Sequence, residues 1–168
     1  MPVTVEDFCI VADRCKSLGL LHPRGLAILP RKFDSATQLA ELVHEDSTAT
    51  IRKLLRERGV QESSVENAAQ KLPRIQENAG DLILPTFFIT ASLFSENPAL
   101  ITVALNILSN YATDFFKGSS RTRNVDVSVV FERDENKVSK RIRYKGDLSG
   151  MKDLQDAILR ALEDEARP

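Results

Sequence analysis

The stretch from Leu82 to Phe116, LILPTFFITASLFSENPALITVALNILSNYATDFF, holds only two charged side chains, Glu96 and Asp114. A run this apolar has to leave water. It is the buried centre of a domain, a surface that closes on a partner, or a membrane-seeking element. Length bears on the last of these, because a spanning helix needs about 20 apolar residues to cross a hydrocarbon core of about 30 Å. Leu82 to Ser95 is too short, and Ser95-Glu96-Asn97-Pro98 reads as a helix stop and restart, with Ser95 or Asn97 as N-cap and Pro98 in the first turn. Ala99 to Phe116 is long enough but striped. Thr102, Asn106, Ser109 and Thr113 recur at helical spacing and lay an uncharged polar line down one face. Leu100, Val103, Ala104, Ile107, Leu108, Tyr111 and Phe115 cover most of the remainder. The sequence therefore predicts a central pair of apolar helices. The residues Thr102, Asn106, Ser109, Asn110 and Thr113 are candidate partner contacts, since uncharged polar side chains suit an interface that desolvates without burying charge.

At 168 residues the chain forms one domain or two small ones and can bury a core without disulfides or metals. Its net charge of -1 gives no global attraction to nucleic acid or membrane. Cys9 and Cys15 have neither metal-knuckle nor redox-pair spacing and read as packing residues. The opening MPVTVEDF lacks the basic and apolar regions of a secretory signal, which predicts a cytoplasmic protein.

Taken in order, Thr4 followed by Asp7 predicts a first helix carrying Phe8, Val11, Ala12, Cys15 and Leu18 and stopped by Gly19. Leu26 to Leu29 is a short buried strand or an extended segment fixed by Pro30. Asp34 or Ser35 caps a second helix with Leu39, Leu42 and Val43. Ser47 or Thr48 begins a third, with Ile51, Leu54 and Leu55 inside it and Gly59 beyond it. Ser63 or Ser64 caps a fourth, with Val65, Ala68, Ala69 and Leu72, before Pro73. Helices three and four resemble a helix-turn-helix in spacing. The fourth, however, offers Glu62, Glu66, Asn67, Gln70 and Lys71, a mixed surface unlike a base-reading helix, and an ordinary helical hairpin is the plainer reading.

After the polar segment 117–123 the periodicity changes from helical to alternating. Val125, Val127, Val129 and Phe131 fall on one side of a strand, with Asp126, Ser128, Val130 and Glu132 on the other. Asp134-Glu135-Asn136 turns the chain, and a second strand sets Val138, Lys140, Ile142 and Tyr144 against Ser139, Arg141, Arg143 and Lys145. Asp147 or Ser149 then caps a last helix whose apolar face is Met151, Leu154, Ala157, Ile158, Ala161 and Leu162. Two strands and one helix bury too little to fold alone, so they dock on the apolar stretch or on another copy.

From Lys117 to Lys145 there are nine cations against four anions. The basic surface is Arg121, Arg123, Lys140, Arg141, Arg143 and Lys145. One reading pairs Arg141, Arg143 and Lys145 across the hairpin with Asp126 and Glu132. The other is a basic ribbon that contacts phosphates, of a nucleic acid or a lipid headgroup. Against it, only Phe131 and Tyr144 are nearby aromatics, and the final helix is acidic.

Acid–base or nucleophilic catalysis needs a partnered histidine, paired carboxylates or an activated nucleophile. The chain has only His22 and His44, and His44-Glu45-Asp46 reads as a solvated helix end. The seven glycines stand as scattered helix stops, with no phosphate-cradling loop. No cofactor and no metal is expected, and an enzyme of unrecognised type stays an alternative.

The last third resembles, in layout, effector-associated components encoded in bacterial conflict and antiviral loci. The matching pieces are the apolar helix Ile101 to Phe116, the basic linker Arg121 to Arg123, the hairpin Val125 to Tyr144 and the short helix Gly150 to Leu162. The resemblance implies a non-catalytic adaptor that couples a sensor to an effector, sometimes at a membrane. The expected fold is α+β, mainly helical in its N-terminal and central parts, with a C-terminal β-hairpin packed by a final helix. Its regions are 1–80, 81–118 and 119–168, which a single domain can contain. The expected function is protein association, as a homo-oligomer or a subunit of a larger bacterial assembly, through the Thr102 to Thr113 stripe and the hairpin's edge strand. Its alternatives are a membrane-associated adaptor acting through 82–116 and nucleic-acid binding through the basic hairpin.

Overall fold

The computed structural model describes residues 3–67, 71–75, 81–118, 124–133 and 137–166. Within them the strands are β1 (Val3–Asp7), β2 (Leu26–Leu29), β3 (Leu82–Ile83), β4 (Thr86–Thr90), β5 (Asn124–Arg133) and β6 (Val138–Asp147). The helices are α1 (Val11–Leu18), α2 (Thr48–Glu57), α3 (Ala91–Glu96), α4 (Pro98–Phe115) and α5 (Met151–Ala166).

All six strands form one mixed sheet, in the order β1-β6-β5-β4-β2, with β3 also alongside β5. The hairpin strands β5 and β6 are antiparallel and lie inside the sheet. β1 pairs with the outer side of β6, and β4 runs parallel to the other side of β5. β3 and β4 follow the same side of β5 in succession. Leu82 is level with Val125 but Phe87 with Val129, so the register slips by one residue across Leu84-Pro85, where proline has no N–H to give a ladder.

Strand alternation sorts the core into two layers. Leu26, Ile28, Phe87, Ile89, Val125, Val127, Val129, Phe131, Ile142 and Tyr144 face α2, α4 and α5. Ala27, Leu29, Phe88 and Val130 face the other way, under α1 with Phe33, Ala36, Leu42 and Val65. Local chemistry sets the start of α4 and the ends of α1 and α2. Asn97 accepts from the Leu100 N–H at 3.3 Å with Pro98 in the first turn of α4. Gly19 ends α1 and Gly59 follows α2, each with positive φ, 75° and 73°. Asp147 Oδ1 accepts from the Ser149 N–H at 2.9 Å in the 3-10 turn that leads into α5.

The α+β class stands, but the expected layout of helices first and a hairpin last does not. The sheet is large and its strands are spread along the chain. Leu82 to Ser95 is β3, β4 and α3 rather than the first of two apolar helices. A strand buried on both faces reads as an unbroken apolar run, which periodicity cannot separate from a buried helix. Val3–Asp7 is a strand, so the first helix starts only at Val11. The expected second helix is a 3-10 turn, Leu39–Glu41. The expected fourth shows no helix in 61–67 or 71–75, and Ala68, Ala69 and Gln70 lie outside the described residues, as does the turn 134–136. Among the described residues no helix is long and apolar enough to cross a membrane.

Candidate functional site

β1 is the end strand of the sheet, and its two sides have different fates. In an antiparallel pair, residues alternate between those that exchange hydrogen bonds with the neighbour and those whose N–H and C=O point away. Phe8 N donates to Ser139 O at 3.0 Å, which fixes the phase: Glu6 and Thr4 point toward β6. The N–H and C=O groups of Val3, Val5 and Asp7 therefore lie on the open edge. Their side chains share the sheet face of their register partners Tyr144, Ile142 and Lys140, the face on which α5 packs.

Beside this edge a groove of about 470 Å³ runs between β1, β6 and α5. Val3, Val5, Phe131, Ile142, Ala157 and Ala161 give it an apolar floor, and Asp153, Asp156, Arg160 and Asp164 form its outer wall. Val5 is 57% exposed, the largest exposure among the big aliphatic and aromatic side chains of the described residues. The side chain of Val5 is thus displayed beside the outward backbone groups of its own residue.

Charge on the hairpin is already engaged. Lys140 is bonded to Asp7, Arg141 to Glu6, and Arg143 to Asp126 at 2.9 and 2.6 Å. Arg141 also lies over the Phe8 ring, 5.7 Å from its centre. The Asp126 carboxylate, through its hydrogen bonds, raises Arg143 above its ordinary value. Only the Arg143–Asp126 pair matches the expected cross-hairpin pairing. Glu132 instead turns under α1, where Oε1 accepts from the Val11 N–H at 2.6 Å. Lys145 is exposed, and Arg121 and Arg123 lie outside the described residues. Of the cations that look like one basic cluster in sequence, Lys140 and Arg141 are therefore paired by β1, a strand at the other end of the chain, and Arg143 by β5.

The polar line on α4 divides. Gln155 of α5 donates to Asn106 at 3.4 Å and to Ser109 Oγ at 3.1 Å, and Thr113 Oγ1 donates to the Ser109 carbonyl at 2.9 Å. Ser109, half-buried, thus serves a seam between two helices of the same chain, with Asn106 at its exposed rim, while Thr102, Asn110 and Thr113 stay exposed.

His44 is not a solvated helix end. It is 2% exposed, and its Nε2 lies 2.5 Å from Glu66 Oε1. Burial holds the imidazole below its ordinary value, so the neutral ring donates to the carboxylate. Burial pushes Glu66 up, but hydrogen bonds from the Leu72 N–H, His44 and Arg52 outweigh it and hold the carboxyl below its usual range. Backbone bonds from His44 N to Pro73 O and from Ile75 N to His44 O tie the same histidine to the following segment. The network clamps Glu66, Leu72, Pro73 and Ile75 about His44.

The sequence points to the helix stripe and the basic hairpin but passes over Val5, Glu6, Asp7 and the outer side of α5. The available signal was the Val3-Thr4-Val5-Glu6 alternation, which competes with a helix-cap reading of Thr4 and Asp7. No protein-family model matches the chain, and neither a curated protein nor a solved structure shows significant similarity to it.

Proposed function

We propose that this chain is a non-catalytic protein-association module and that its working surface is the open edge of β1 with the adjoining groove. The observation that carries the reading is Val5, more than half exposed at the centre of an end strand and beside an apolar floor. Such an edge is a template for strand addition: backbone bonds supply affinity and side-chain pockets supply selectivity. End strands are commonly protected by charge, yet the two acids of β1, Glu6 and Asp7, are held by Arg141 and Lys140. An adaptor of the kind that the layout of the last third implies would use such an edge to join assemblies. The nucleic-acid alternative loses support from the same ion pairs, because phosphate binding relies on cations free to replace counterions.

The test is hydrogen exchange of the outward amides of Val3, Val5 and Asp7 in the assembled protein, either concentrated alone or isolated through a tag with whatever it binds. Slow exchange that becomes fast on dilution or release is expected. Fast exchange in every assembled form would remove this surface from function.

A further inference from the structure

We infer that the occupant of this edge is a second copy of the chain, its β1 antiparallel to the first about a two-fold axis at Val5; the inference rests on the association reading above. The strand is self-complementary in one register. Because the outward N–H and C=O groups belong to Val3, Val5 and Asp7, a two-fold pairing must set odd residues against odd residues. Centred on Val5, it engages all five residues of β1: Val5 meets the partner's Val5, Thr4 the partner's Glu6, and Val3 the partner's Asp7. No like charges stand opposite. Centred on Glu6, the pairing puts carboxylate against carboxylate, which is destabilising. Centred on Thr4, it leaves Glu6 and Asp7 opposite nothing in β1.

The apolar floor of the groove, Val3, Val5, Ile142, Ala157 and Ala161, adjoins the same contact. α5 flanks β1, and a two-fold axis at Val5 runs α5 antiparallel past its copy. The wall carries Asp153, Asp156 and Asp164 against Arg160, the same sign on both copies, so the contact is held by the β1 backbone and the apolar floor and is favoured by salt that screens the walls. The apolar surface of Val5 is buried twice in one contact. The product is a single sheet continuous across two chains.

Light scattering of the full chain over a concentration series, with chemical trapping of Val5→Cys by a short bismaleimide, tests the register. A concentration-dependent dimer and a covalently linked V5C dimer are expected, with no link for Leu21→Cys, an exposed site outside β1 and its groove. Val5→Lys should raise the dimer dissociation constant at least about tenfold, since a tenfold change needs little more than the loss of one buried side-chain pair. A monomer at all concentrations overturns the second copy, while slow exchange of the β1 amides in an isolated assembly would still uphold association through this edge. A dimer in which V5C fails to link overturns the register. A dimer whose β1 amides exchange fast overturns both the partner and the edge.

Discussion

Glu132 Oε1 accepts a 2.6 Å hydrogen bond from the backbone N–H of Val11, across 121 residues of sequence. Ile10, which precedes α1, offers no side-chain cap of its own. A carboxylate at this position meets an unsatisfied donor and the positive end of the helix together. Because Glu132 is 1% exposed, removing it leaves a buried donor without its acceptor. Glu132→Ala is expected to destabilise the fold by about 2–3 kcal/mol and Glu132→Gln by about 1 kcal/mol, read as shifts of the urea midpoint at constant slope. Equal stability of the alanine variant and the native chain would dismiss the cap.

A second stability prediction concerns Gly150. A Cβ there would run into the Tyr144 ring, which is 2% exposed and whose hydroxyl donates to the Asp147 carbonyl. Gly150→Ala should cost about 1–3 kcal/mol, the range for an overpacked site, although alanine ordinarily favours helices. Thermal melts of the single variant and of G150A with Tyr144→Phe, which frees the ring from its bond, would show partial recovery in the double variant.

The His44 clamp makes stability depend on pH. Burial holds folded His44 below the unfolded value of about 6.5, and the hydrogen bonds to Glu66 hold it below the unfolded value of about 4.3. In both cases the unfolded chain binds the proton more readily. The stabilisation is therefore complete above about pH 6.5 and declines as the solution is acidified, first through His44 and then through Glu66. Urea midpoints measured from pH 8 to pH 4 should fall, and His44→Gln should flatten the limb between about pH 6.5 and 5. A native chain as stable at pH 5 as at pH 8 would contradict the clamp.

Burial raises the Cys9 thiol to about 11 and the Cys15 thiol to about 12. The thiolate is the reactive form, so at pH 8 only about a thousandth of Cys9 is reactive, and less of Cys15. Both should resist a thiol reagent in the folded chain and react together on addition of denaturant. Rapid labelling of native Cys15 would show that α1 opens locally.

The parts of the fold legible in the sequence are those fixed by neighbours along the chain. The hairpin follows from the alternation of Val125 to Phe131 and of Val138 to Tyr144. α2 follows from Ile51 and Leu55 ahead of Gly59, and α4 from Asn97-Pro98. What escaped depends on distant residues. Leu26–Leu29 is legible as a short buried strand, but its partner Thr86–Thr90 is not, because a segment buried on both sides is apolar on both sides. Val3–Asp7 is a strand because Val138–Asp147 is there to receive it. The candidate site was hidden for the same reason. Lys140 and Arg141 are plain in the sequence, but Asp7 and Glu6, which neutralise them, stand 133 and 135 residues away.

The pairing of β1 with β6 also sets a timetable. During synthesis β1 emerges early, and the strand that receives it follows on the order of ten seconds later at ordinary rates of chain growth. Until then Val3 and Val5 belong to an unpartnered strand. Closing so distant a contact is slow, and an aggregation-prone edge is bare for as long as it takes. A nascent chain would therefore need β1 shielded, by the ribosome or a chaperone, until β6 arrives.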